Sequence, residues 1–221
     1  MIRIASFDIG LKNFATWIDE YDVDDIPSSD LEFSHDGRAS SESQRIIDEF
    51  LSRGSTVSMS NCDISNGSAT VTSEVLANLT IFLAQHPHLH TCDFFVVEKQ
   101  MSFGKASNPK ALRLSHHVQS TLLNMHGVTA RVVDFPAYKK TQMLGAPKKK
   151  AASGKFKAVS YAERKKWAID KCIEVLLMRG EVDVLDDVLN MKKRDDVSDC
   201  LLQAGAFLLA NRHDVKKQFL M

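Results

Sequence analysis

Apolar residues in the first part of the chain fall into short continuous runs, and further on they recur with a helical period. Ile2 to Ile9 is dense enough for a central strand, and Gly10 turns it into a second strand over about 13–19, so the two predict a hairpin. Asp22 to Asp36, with Pro27 and paired serines, reads as a solvated excursion. Ile46, Ile47, Phe50 and Leu51 repeat at helical spacing between Ser43 and Arg53, which predicts a short inserted helix closing on Gly54. Thr56 to Ile64 alternates as a third strand. Val75, Leu76, Leu79, Phe82 and Leu83 predict a helix over about 72–85, ended by Pro87. A buried strand from Cys92 to Glu98, a helix from Pro109 to His126 and a strand from Thr129 to Phe135 follow.

The period then dissolves. Residues of about 139–160 hold lysines, alanines, glycines and a proline, and read as a mobile basic loop. Ser160-Tyr-Ala-Glu163 is a capping-box pattern, predicting a helix that runs to about Met178 with Trp167, Cys172 and Val175 among its apolar positions. Gly180 to Lys193 reads as a link to a last helix capped by Asp195, whose Val197, Leu201, Ala204 and Leu208 form an inward stripe. Early antiparallel strands followed by strand–helix alternation predict an α/β fold: a mixed sheet of about five strands covered by helices on both faces, in one domain spanning 1–221.

Charge changes the picture, although the formal net charge is zero. Acids crowd the insertion at about 20–54, where eleven of them between Asp19 and Glu49 face only Arg38 and Arg45. Between Lys139 and Lys171 eleven basic side chains face only Glu163 and Asp170, so neutrality conceals a basic patch. The four cysteines show no CxxC spacing and indicate neither a zinc site nor a disulfide framework, which favours a reducing compartment. No apolar run approaches membrane-spanning length, and the opening strand leaves no room for a targeting segment, so a soluble intracellular protein is expected.

Four carboxylates stand where packing alone would not place them. Asp8 interrupts the first strand, Glu98 ends the fourth, and Asp196 and Asp199 share a face at the start of the last helix. Acids also favour helix N-termini for electrostatic reasons, so the last pair alone defines no site. Four acids from distant segments that met at one sheet end would suit a divalent cation.

The motifs Phe7-Asp8-Ile-Gly10-Leu-Lys-Asn13, Val97-Glu98-Lys-Gln100 with Asn108 following, Ser160-Tyr-Ala-Glu-Arg164-Lys-Lys166 and Asp195-Asp196-Val-Ser-Asp199 occur in this order. Together they resemble the RuvC-type Holliday junction resolvases of the ribonuclease H-like superfamily, in the branch of large DNA viruses and fungal mitochondria. The resemblance implies an endonuclease that resolves four-way DNA junctions by paired symmetric nicks, acting as a homodimer. It implies that Asp8, Glu98, Asp196 and Asp199 are catalytic and hold two Mg2+ ions, with Mn2+ able to substitute, and that Asp195, the neighbour of a ligand, is a cap or a support for the ligands beside it. It places Lys139, Lys165 and Lys166 near the scissile phosphate, with Lys165 or Lys166 stabilising developing charge. Lys140, Lys148, Lys149, Lys150, Lys155, Lys157 and Arg164 are then expected to meet DNA phosphates. Phe103 is a candidate wedge into an opened junction, with loop packing as the plainer reading. Trp167 is read as core rather than as a base-stacking platform. His116 and His117 share a helix, one facing solvent and one near packing, with no metal spacing. A viral replication site in cytoplasm or nucleus fits better than a mitochondrion.

Two other readings keep the fold: a ribonuclease H or exonuclease using the same acids, and a junction-binding module without catalysis. An actin-like ATPase shares the Asp-x-Gly turn, but it needs a second glycine-rich phosphate turn and a second lobe that 221 residues with ten glycines do not provide.

Overall fold

The computed structural model describes residues 1–102, 107–127 and 130–219. Its centre is β1 (Ile2–Asp8), flanked by antiparallel β2 (Phe14–Tyr21) and parallel β4 (Phe94–Glu98). The strands β3 (Ser55–Cys62) and β5 (Arg131–Phe135) complete a five-stranded mixed sheet in the order β3-β2-β1-β4-β5. Side chains alternate across β1: Ile2 and Ile4 face one core, Ala5 and Phe7 the other. Burial on both faces explains why this strand reads as a continuous apolar run.

One face carries α2 (Ser73–Gln85) and α3 (Pro109–His126), each N-capped by a side chain, Thr72 accepting from the Val75 amide and Asn108 from that of Ala111. His116 on α3 is exposed, whereas His117 Nε2 lies 2.8 Å from Thr80 Oγ1 on α2 and serves the packing of the two helices. The other face carries α1 (Ser41–Ser52), α4 (Ala137–Met143), α5 (Tyr161–Arg179), α6 (Val182–Asn190) and α7 (Arg194–Ala210), followed by α8 (Arg212–Phe219).

α7 is buried all round from Val197 to Leu209 except at Asp199, which makes it a central helix rather than one with a single apolar stripe. Burial of Leu201, Leu202, Leu208 and Leu209 contributes roughly 1.5–3 kcal/mol each. Gln203 fixes its position over the sheet: Nε2 donates to Ser6 Oγ at 3.0 Å, Val96 O at 3.1 Å and Phe7 O at 3.3 Å. A polar side chain so placed pins the helix across β1 and β4.

Several expectations are corrected. The segment expected as a loop over about 139–160 contains α4 and a hairpin of β6 (Lys148–Lys150) and β7 (Phe156–Ala158). Neither has an apolar period, because the buried residue of α4 is Lys140 and the hairpin strands are exposed throughout. The expected link before the last helix holds α6, with Leu185 and Val188 buried. The N-cap of α7 is Lys193, not Asp195, and no side chain caps it.

The acidic segment is anchored by a buried pair. Arg179 on α5 donates to both oxygens of Asp19 on β2 at 2.9 and 2.8 Å, to Tyr21 Oη at 2.8 Å and to Leu51 O of α1 at 2.8 Å. The two charged side chains are 1% and 0% exposed. Geometry of this kind, with both partners saturated, holds β2, α1 and α5 together.

Candidate active site

The first two acids meet because of strand register. Phe7 pairs with Val97 between parallel β1 and β4, so Asp8 and Glu98, one residue further on, end adjacent strands at the same edge of the sheet. Gly10 makes the turn after Asp8 possible: a Cβ there would lie 2.4 Å from the Asn13 carbonyl oxygen. The N-terminal turn of α7 crosses the same strand ends and brings Asp196 and Asp199, three residues apart, to the edge.

The electrostatics show the four acids sensing one another. Burial pushes the Asp8 carboxyl well above its ordinary range, and the charges of Glu98, Asp199 and Asp196 push it further, opposed by Lys140. Asp196 is raised to about 6 by burial and by neighbouring Asp195. Burial would raise Asp195 too, but Lys165 pairs with it and holds it below the usual value. Burial alone would lower the Lys140 amine; Asp199, with which it pairs, together with Glu98 and Asp8, outweighs burial and raises it.

The structure thus brings together Asp8, Glu98, Asp196, Asp199 and Lys165 of the expected residues, and adds two. Lys140, expected among phosphate contacts, is 7% exposed at its side chain and turned into the acid cluster. Asp195, expected as a cap or as a support for the ligands beside it, holds Lys165, whose Nζ also lies 5.0 Å from the centre of the Tyr161 ring. No sequence pattern distinguished Lys140 from Lys139. A cavity of about 110 Å3 is lined by Glu98, Lys140, Tyr161, Lys165 and Asp199.

Lys166, by contrast, is exposed on α5. Lys148, Lys149, Lys150, Lys155 and Lys157 project from the hairpin, with Lys149 paired to Glu163. Lys139 is half-buried on α4 and Arg164 is exposed at the start of α5. Phe103 lies outside the described residues.

The donor set fits a hard divalent cation in chemical type: oxygen ligands, an excess of negative charge and a strongly raised carboxyl. As the side chains lie, no three acid, histidine or cysteine groups among the described residues form a ligand set. The Lys140 and Lys165 amines pair with Asp199 and Asp195 instead, supplying the positive charge.

This sheet order, with helices on both faces, is the fold of solved Holliday junction resolvases. The fowlpox virus resolvase in complex with Holliday junction DNA shares it at a TM-score of 0.56 and 18% identity, over 95% of this chain and 98% of that one. Thermus thermophilus RuvC shares it at a TM-score of 0.54 and 9% identity, over 97% of this chain and 98% of that one. In sequence the chain is 28% identical to uncharacterised protein 170L of Invertebrate iridescent virus 6 over 234 residues, covering 93% of this chain and 88% of the relative. It is 33% identical to uncharacterised protein 97L of Invertebrate iridescent virus 3 over 115 residues, covering 51% and 47%. No family model matches the chain.

Proposed function

We propose that the protein is a divalent-metal-dependent endonuclease that resolves four-way DNA junctions by paired nicks. The observation that carries this reading is the convergence of Asp8, Glu98, Asp196 and Asp199 at one sheet edge, beside a basic surface, in a chain with the resolvase fold. Asp8, Glu98, Asp196 and Asp199 would hold two Mg2+ ions, with Mn2+ as a substitute. When bound, such ions lower the pKa of water and stabilise charge on a phosphoryl group in flight.

The chain's own groups do the rest. Asp195 holds the Lys165 amine at the cavity wall, where it can meet negative charge on a phosphate. Lys140 sits among the acids as a fixed positive charge, and the lysines of the hairpin bind the DNA backbone. The near-twofold symmetry of a four-way junction matches a homodimer presenting two sites, an assembly that also belongs to the proposal. The viral relatives suit a role in viral DNA processing.

The test incubates a labelled four-way junction, a matched duplex and an RNA–DNA hybrid with the protein, in Mg2+ and in EDTA. Symmetric ligatable nicks in the junction alone, dependent on Mg2+ and lost in Asp8→Asn while junction binding remains, are expected. Cutting of the hybrid in preference to the junction would move the function to ribonuclease H. Full cleavage by Asp8→Asn would overturn the site.

A further inference from the structure

Beside the acid site lies a second cavity, of about 200 Å3, between α4, the β6/β7 hairpin and α5. Tyr138, Thr141, Gln142, Lys148, Arg164 and Trp167 are among its walls. It adjoins the acid-site cavity, with which it shares Thr141, Arg164 and Trp167 as walls. A strand whose phosphate lay against the acids would run past these shared walls.

Its chemistry suits a base rather than a phosphate. Trp167 packs one part of its ring on the core and turns another to the cavity. Tyr138 is 64% exposed at the rim, and Tyr161, also exposed, lines the adjoining acid-site cavity. They are interleaved with cations, as the Arg164 guanidinium 5.9 Å from the centre of the Tyr161 ring illustrates. The Gln142 amide can both donate and accept at a base edge. At about 200 Å3 the space is small for a drug-sized ligand but of the scale of one planar ring. Aromatic faces with flanking cations are how proteins hold unstacked nucleobases.

We propose that this pocket receives one unstacked base of the DNA strand held at the acid site. The inference rests on the nuclease reading above and assigns Tyr138 and Trp167 as positioning residues for the strand. Such a base is taken up most cheaply where its pairing or stacking is already disrupted.

The test compares, in EDTA, binding of a single-stranded oligothymidylate with that of an abasic strand of the same length, which keeps every phosphate and lacks the bases. Trp167 fluorescence is the second readout, since Trp17 is fully buried and shielded from a ligand. The thymidylate is expected to bind about tenfold more tightly than the abasic strand and to quench Trp167, a preference equal to ~1.4 kcal/mol and in the range for one stacked base. Tyr138→Ala should lose this preference and Tyr138→Phe should keep it, both with unchanged affinity for the abasic strand. Equal binding of the two strands by the wild type, or a preference that survives Tyr138→Ala, would overturn the proposal. Junction cleavage in Mg2+, run alongside, separates the two claims. Cleavage without base preference sinks the pocket and leaves the nuclease; base preference without cleavage of any DNA leaves the pocket as a base-binding site and sinks the nuclease.

Discussion

Replacing Asp196 by asparagine should make the metal-free protein more stable, and increasingly so as pH rises. The carboxyl is raised from 3.8 to about 6 by burial and then by Asp195. A group whose folded pKa lies above its unfolded one favours folding when protonated. That contribution is complete below about 4 and is lost as pH climbs through about 6. The shift of about two units corresponds to about 3 kcal/mol at ~1.36 kcal/mol per unit. Solvent still reaches the side chain and Lys165 Nζ stands 4.0 Å away, so screening reduces the figure to about 1–2 kcal/mol. For a domain of this size each kcal/mol moves Tm by ~2–4 °C, so Asp196→Asn should melt roughly 2–8 °C above wild type at pH 8 in EDTA and show little advantage at pH 4.

The assay is thermal unfolding by circular dichroism across that range, repeated with Mg2+. Cation should raise the Tm of the wild type by mass action, ~2.7 kcal/mol at a hundredfold excess over Kd, and raise that of the variant far less. The order of stabilities would then reverse between EDTA and saturating metal. An advantage that does not grow with pH would refute the electrostatic argument. Equal stabilisation of both proteins by metal would refute the assignment of Asp196 as a ligand.

Arg179→Met leaves Asp19 buried without its partner and should cost ~3–5 kcal/mol, lowering Tm by roughly 6–20 °C, with partial recovery in the Asp19→Asn/Arg179→Met double variant. A loss below about 1 kcal/mol in thermal or urea unfolding would show that water reaches the pair. Replacing Lys148, Lys150 and Lys157 by alanine should flatten the salt dependence of duplex and junction binding, by roughly 0.9 in log–log slope for each lysine that meets a phosphate. Cleavage at saturating protein should persist, and an unchanged slope would place the DNA elsewhere.

The sheet and its acids were legible because core strands tolerate few charges. Asp8 and Glu98 stood out against runs that are otherwise buried on both faces, and Asp196 and Asp199 against the apolar stripe of the helix they begin. Helices with an apolar face, such as α1, α2 and α3, were legible to within a few residues from their period. α4 was not, since a seven-residue helix whose buried side chain is a lysine has no hydrophobic signature. The hairpin was hidden for a related reason: its six strand residues are all exposed, and backbone pairing leaves no trace in their polarity. Asp19 looked like one more acid in an acidic stretch, because nothing local reveals a partner 160 residues away.

Lys140 shows why such residues escape a reading of pattern. Four carboxylates at one sheet edge repel one another, and burial removes the water that would screen them, as the raised Asp8 and Asp196 record. A cation within the cluster offsets that cost before any ligand arrives, and it must itself be buried to do so. The amine of Lys140 meets both conditions: it is enclosed, yet held charged by Asp199, Glu98 and Asp8. Its position follows from α4 packing on α7, which places the lysine opposite the second acid of the helical pair. A residue selected by the charge of three distant segments carries no local signal, so its role becomes visible only when the segments are brought together.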